Sequence, residues 1–103
     1  MIVEKFAVIN AATSGDANTI VAAVAGKQIR VLSYTLIADA AVTATWKSGT
    51  TAISGAMSLP ANGGAAPTCQ SGVLQTATGE ALMMTLGGAV GVRGHLTYVE
   101  ITP

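Results

Sequence analysis

His95 is the residue best suited to move a proton, because it is the only histidine in the chain. Catalysis by a nucleophilic serine or threonine needs a neighbouring base and a third group that orients this base. The sequence "VRGHLTYVEI" surrounds His95 with strand-forming residues, and no serine lies in a G-x-S-x-G turn. We therefore expect His95 to be structural or to face a partner, and we predict no catalytic residues.

The other groups with chemical potential are scattered through the sequence. The carboxylates stand singly, at Glu4, Asp16, Asp39, Glu80 and Glu100. This spacing does not indicate the paired carboxylates that serve as acid and base in hydrolytic enzymes. Cys69 is the single cysteine, so it forms no internal disulfide, and no nearby histidine or second sulfur completes a metal site. The glycine-rich residues 87–94 favour a hairpin and not a phosphate-binding loop. The sequence thus predicts no metal, no cofactor and no enzyme.

The composition excludes further classes of function. A chain of 103 residues forms one domain, residues 1–103. Only 10% of the residues are charged and the formal net charge is zero, so neither nucleic acid nor an anionic membrane is an expected partner. The longest uncharged stretch, residues 48–79, is broken by Pro60 and Pro67 and does not resemble a spanning helix. The first residues lack the pattern of a signal peptide, and we expect synthesis in a cytoplasm.

Alanine is the commonest residue, so helix and strand must be weighed against each other. Residues 18–34 could be drawn as a helix capped by Asn18, but Gly26 and several β-branched residues disfavour it. Glycines recur at spacings that suit short strands and tight turns. The pattern predicts an all-β fold of seven to eight short strands, an antiparallel two-sheet β-sandwich, with a small barrel as the alternative.

Alternation of apolar and polar residues is clearest around the only tryptophan. In "AVTATWKS", residues 41–48, one face carries Val42, Ala44 and Trp46. A large ring there can fill the space between two sheets about 10 Å apart. We predict that Trp46 anchors the core; the alternative is an exposed ring that stacks on a sugar or inserts into a partner.

Two other segments show strand patterns of different kinds. Residues 27–39 are apolar on both faces and favour a central strand. In residues 2–10, one face carries Ile2, Phe6 and Val8 and is interrupted by Glu4. This alternation predicts a strand near the start of the chain.

The loop "SLPANGGAAPTCQSG", residues 58–72, is long, neutral and rich in small residues. Such a segment suits close packing against another chain. The residues that we expect at this contact are Leu59, Pro60, Asn62 and Pro67. Few charges are available to protect exposed edge strands from pairing. These features favour a protein that works in an assembly, as a homo-oligomer.

Four stretches of the chain carry a resemblance to a known group of proteins. They are the strand entry at Gly26, Lys27, Ile29 and Val31, "WKSGT" at 46–50, "TGEAL" at 78–82 and "GHLTYVE" at 94–100. Over residues 20–101 the chain resembles small virion structural proteins of tailed bacteriophages, which include head decoration, or cement, proteins.

The resemblance implies a jelly-roll-like sandwich that assembles as a homotrimer on the capsid surface of the virion, after synthesis in the host bacterial cytoplasm. It would bind the major capsid protein and strengthen the head against packaged DNA. Residues 1–17 would supply an N-terminal arm or an edge strand. The competing hypothesis is a receptor- or carbohydrate-binding module of a tail fibre, which needs Tyr34, Trp46 or Tyr98 exposed. An enzyme would need His95 beside a carboxylate.

Overall fold

Extended backbone accounts for all the regular structure of residues 3–69 and 71–103, the part of the chain that the computed structural model describes; the side chains of Asp16 and Ala17 are outside this description. The strands, in chain order, are β1 (Lys5–Ala11), β2 (Gly15–Val21), β3 (Gln28–Ala38), β4 (Val42–Ser48), β5 (Thr51–Ala52), β6 (Met57–Leu59), β7 (Gly64–Ala65), β8 (Leu74–Gln75), β9 (Leu82–Leu86) and β10 (Val92–Ile101). Three of these ten are two residues long, too short to show as alternation in the sequence.

The strands form two antiparallel sheets that pack face to face. The first sheet has the order β1-β10-β3, with β7 and β8 both pairing with the far edge of β3. The second has the order β2-β9-β4, with β5 and β6 both pairing with the far edge of β4. This confirms the predicted all-β, two-sheet fold, while the jelly-roll connectivity stays a prediction.

The inner faces follow the period-two pattern of the sequence. Along β4 and β9 every second residue is buried, and the residues between them are exposed or half-buried. Beyond β4 the chain turns at Gly49, whose φ of 58° lies in the left-handed region that favours glycine. The buried residues of both strands therefore share one side and face the first sheet.

Trp46 lies at the centre of the core, with none of its surface exposed. Its ring meets that of Tyr34, on β3 of the opposite sheet, edge to face at a centroid distance of 5.1 Å. Within the described residues its Nε1 has no hydrogen-bond partner. The Tyr34 hydroxyl is 3.8 Å from the sulfur of Met57. The two rings thus join the sheets by an aromatic contact.

The face of β1 that packs against the core is not the face that carries Phe6, its largest apolar residue. Ile9 and Ala11 are buried, whereas Phe6 and Val8 point outward. Ile2, which the sequence pattern places on the same face as Phe6 and Val8, is outside the described residues. Because side chains alternate along a strand, a shift of one residue decides which set is buried.

Candidate interaction surface

His95 lies in the middle of β10 and is exposed on the outer face of the first sheet. Its neighbours across the sheet are Val8 on β1 and Thr35 on β3. Within the described residues, no carboxylate forms a hydrogen bond or ion pair with its ring. The same residues contain no cluster of three His, Cys, Asp or Glu side chains that could hold a metal ion. These side chains thus supply no base–carboxylate pair around His95.

Two carboxylates pair with cations at opposite ends of the first sheet. The Lys5 Nζ lies 3.0 Å from the Glu100 Oε2, and the hydrogen bond with this carboxylate, followed by its charge, raises the pKa of Lys5. Arg93 Nη1 lies 3.3 Å from the Asp39 Oδ2, and both side chains are more than half exposed. Each pair thus compensates its own charges locally, at its end of the sheet.

Glu80 has a structural environment at the end of β4. The buried Ser48 donates a hydrogen bond from Oγ to the Glu80 Oε1 at 2.5 Å, and its oxygen accepts one from the Ala77 N–H at 2.8 Å. The Gly49 N–H donates to the carbonyl of Ala81 at 2.9 Å. These contacts hold the turn after β4 against the segment that leads into β9.

The aromatic rings do not form an exposed platform. Trp46 and Tyr34 are both buried in the core, and Tyr98 is half-buried on β10, directly opposite Lys5. A carbohydrate-binding surface needs a ring face that is open to solvent. Of the three rings considered for that role, two are unavailable.

In the loop at residues 58–72, the four residues that we expect at a partner contact differ in how far their side chains are exposed. Leu59 is buried in the core, so its side chain is not available at the surface. Pro60 and Asn62 are exposed, and Pro67 is half-buried. Asn62 adopts a φ of 61° in the tight turn that begins at Pro60. Of these four residues, only the turn residues Pro60 and Asn62 are thus fully available at the surface.

The backbone of residues 62–69 and 71–76 runs along the far edge of β3. Six hydrogen bonds attach it there: Asn62 N to Ala38 O, Ala38 N to Gly63 O, Tyr34 N to Pro67 O, Cys69 N to Leu32 O, Val73 N to Val31 O and Thr76 N to Ile29 O, all between 2.7 and 3.2 Å. Cys69 itself is an exposed free thiol. We call residues 62–69 and 71–76 the covering segment, because they close this edge of the first sheet to other strands.

A shallow depression of about 230 Å³ lies beside the covering segment. It is lined by Arg30 and by residues 71–75, and the Arg30 Nε donates a hydrogen bond to the Gln75 Oε1 at 2.6 Å. The lining holds no histidine, cysteine or carboxylate. It therefore lacks the usual proton-transfer and metal-binding groups.

The exposed large hydrophobic residues of the described chain are concentrated on the first sheet. Val3, Phe6 and Val8 are 60%, 78% and 75% exposed, and we call these three residues the β1 patch. Ile37, on β3, is 46% exposed on the same outer face. Residues 5–11 carry apolar side chains on both faces of β1. A strand that is buried on one side needs apolar residues on that side only, so the second apolar face is a signal that the sequence already contains. The exposure of this second face was not predicted from the sequence.

The outer face of the second sheet has a different composition. It carries Thr19 on β2, Met83 and Thr85 on β9, Thr43, Thr45 and Lys47 on β4 and Ser58 on β6. Hydroxyl groups dominate this face, and Met83, its one large apolar side chain in this set, is half-buried. The second sheet thus presents a hydrated surface.

The long edges of the two sheets also differ. The edge of β3 is closed by the covering segment, and that of β4 by β5 and β6. β2 pairs with β9 through two register shifts, which bend an edge and hinder pairing with another strand. β1 pairs with β10 in unbroken register over all seven of its residues. Among the described strands, β1 thus presents the long regular edge that no other segment covers.

No helix of the described residues is long and apolar enough to cross a membrane.

Comparisons with known proteins identify no relative of this chain. No family model matches the chain, and neither a curated protein nor a solved structure is similar to it.

Proposed function

We propose that the protein is a non-enzymatic virion structural protein, a decoration or cement protein that stabilises a bacteriophage head through contacts with the major capsid protein and with copies of itself. The observation that carries the proposal is the β1 patch, which places exposed apolar residues beside an uncovered strand edge. Exposed apolar groups of this kind mark surfaces that work in contact with another protein.

The charge distribution supports a role in an assembly. The described charged side chains of the first sheet include two local ion pairs, Lys5 with Glu100 and Arg93 with Asp39. Neutral surfaces can approach a neighbouring subunit with a small cost of desolvation. On a lattice, many weak contacts of this type add together through multivalency. The homotrimer, the head as location and the major capsid protein as partner come from the resemblance.

The burial of the aromatic rings favours this proposal over a tail-fibre recognition module. That module would use exposed rings to stack on sugars. Trp46 and Tyr34 instead pack against each other inside the sandwich. The β1 patch combines one exposed ring, Phe6, with the aliphatic side chains of Val3 and Val8, a composition that suits protein–protein contact better than carbohydrate recognition.

The test mixes the purified protein with expanded heads that lack their decoration layer, from a tailed phage that encodes the chain. We expect saturable binding at a fixed ratio to the major capsid protein, and decorated heads that rupture at a higher temperature than undecorated ones. Heads already saturated with unlabelled protein are the control and should take up no labelled protein. Failure to bind saturably would contradict the proposal.

A further inference from the structure

We infer that two copies of this chain pair antiparallel through the free edges of their β1 strands, across a two-fold axis at Ala7, so that the first sheet continues from one copy into the other. The inference starts from the one long edge in the described structure that is both regular and uncovered. It rests on the self-association in the proposed function and assigns a surface to it, and its test measures self-association separately from head binding.

β1 lacks the usual protection of an edge strand. Edges are commonly guarded by charged side chains, by proline or by bulges. β1 contains no proline and no register shift, and its one charged residue is Lys5, at its first position. The ammonium group of Lys5 is held 3.0 Å from Glu100 on β10, the inner neighbour of β1. The rest of the edge is neutral.

The alternation of side chains restricts the register of such a pair. Opposite residues of an antiparallel pair lie on the same face, so the inner faces remain continuous only if the numbers of opposing residues add to an even sum. A two-fold axis at Ala7 places Phe6 opposite Val8 of the second copy, and does so twice. An axis at Val8 would place Phe6 opposite Asn10, and an axis at Phe6 would place Val8 opposite Glu4. The axis at Ala7 therefore joins the two large exposed side chains of β1.

The charges are compatible with this register. Lys5 lies opposite Ile9 of the second copy, and Glu4 lies opposite Asn10. No like charges face each other, whereas like charges directly opposite would destabilise the pair. Aromatic and β-branched side chains, such as Phe6 and Val8, are favourable cross-strand neighbours.

The available area is enough for a specific contact. A seven-residue strand is about 24 Å long, and the shortest dimension of the molecule is 20 Å. The side of the sandwich at β1 and β2 therefore offers at most roughly 500 Å² on each copy, and full contact along it would cover about 1,000 Å² in total, which is where specific interfaces begin. If the chain is otherwise monomeric, a two-fold contact of this size forms a dimer. If the expected trimer forms through another surface, the same contact joins two trimers.

The experiment compares four variants with the wild-type chain by sedimentation over a range of concentrations. Phe6→Lys and Val8→Glu each change both symmetric contacts, and each should weaken self-association about tenfold or more. The double variant Phe6→Lys/Val8→Glu places each introduced lysine opposite an introduced glutamate and should restore association. Ile37→Lys is the matched control, because Ile37 is exposed on the same face but lies on β3, two strands from the edge.

The double variant tests the register as well as the contact. With an axis at Phe6 or at Val8, two introduced like charges would face each other and association would weaken further. The inference is supported if the wild-type protein sediments with twice the mass of the Phe6→Lys variant. A wild-type chain that stays unassociated, an Ile37→Lys variant that dissociates as much as Phe6→Lys, or a double variant that is not restored would overturn it. If Phe6→Lys loses head binding but keeps the mass of the wild-type assembly, β1 contacts the major capsid protein and not a second copy. That result would also overturn the inference.

Discussion

The outer faces of the two sheets have the same backbone geometry and opposite chemistry. The second sheet presents threonine and serine hydroxyls to solvent, whereas the first sheet exposes Phe6, Val8 and Ile37. Threonine has the β-branched shape that favours strands and also keeps a hydrogen-bonding group in water. Strand formation therefore does not require the exposed apolar residues of the first sheet, and the position of Phe6 and Val8 beside an uncovered edge supports the proposed contact surface.

The comparison depends on both sheets sharing one core, and the largest expected effect tests that core. Trp46→Ala should lower the free energy of unfolding by about 3–5 kcal/mol, because it removes a buried ring and leaves a cavity. Urea denaturation at constant protein concentration measures the loss. Trp46→Phe is the control and should cost less, since it keeps an aromatic contact with Tyr34. A loss below about 1 kcal/mol would show that the two sheets do not depend on this ring.

The contrast between covered and free edges is tested next. Thr76 is buried, and its Oγ1 accepts a hydrogen bond from the Ile29 N–H at 2.9 Å. Thr76→Val keeps the shape but leaves that N–H without a partner, so we expect a loss of about 1–3 kcal/mol in unfolding free energy. Thr78→Val, at an exposed position two residues along, should change stability little. Equal effects of the two variants would mean that the covering segment does not depend on this bond.

Exchanging the chemistry of the faces should change surface behaviour more than stability. Phe6→Thr/Val8→Thr makes the first sheet similar to the second, and Thr19→Val/Thr43→Val does the reverse. Because the four side chains are exposed, each change in unfolding free energy should stay within about 0.5 kcal/mol per site. On a hydrophobic-interaction column the first variant should elute earlier than wild type and the second later. Elution in the opposite order would contradict the assignment of the two faces.

The smallest expected effect concerns the ion pair at the start of β1. Glu100 raises the pKa of Lys5 above its usual value of 10.5, so the pair stabilises the folded chain below that pH, and the stabilisation is lost as pH rises through the raised pKa. Lys5→Met should therefore show a shallower loss of stability above pH 10.5 than wild type, measured by urea denaturation. Glu100→Gln should behave similarly, and a slope equal to wild type in both variants would contradict the pairing.

The sequence was sufficient for the fold class because its signals are local. Alternation around Trp46 and the glycine at position 49 specify a strand and its turn, and both appear in the structure. The two-residue strand β7 was not predicted, since pairing of such a short piece depends on the neighbouring strand and not on its own sequence.

The interaction surface was less predictable, because it depends on register. Residues 5–11 carry apolar side chains on both faces, and only the pairing of β1 with β10 decides that Ile9 is buried while Val8 is exposed. The loop at residues 58–72 was expected to face a partner. Its backbone instead pairs largely with β3, a long-range contact that composition does not encode, and Leu59 is buried in the core.

The covering segment also limits how far an assembly can grow. A molecule with two open strand edges can add a copy at each and extend without end, as fibrils do. Here the covering segment occupies one edge of the first sheet, so in the described part of the chain a copy joined at β1 has no equivalent edge of that sheet left on which a third can be added. Cutting or deleting this segment would expose the edge of β3, and a finite particle would become a unit that can polymerise.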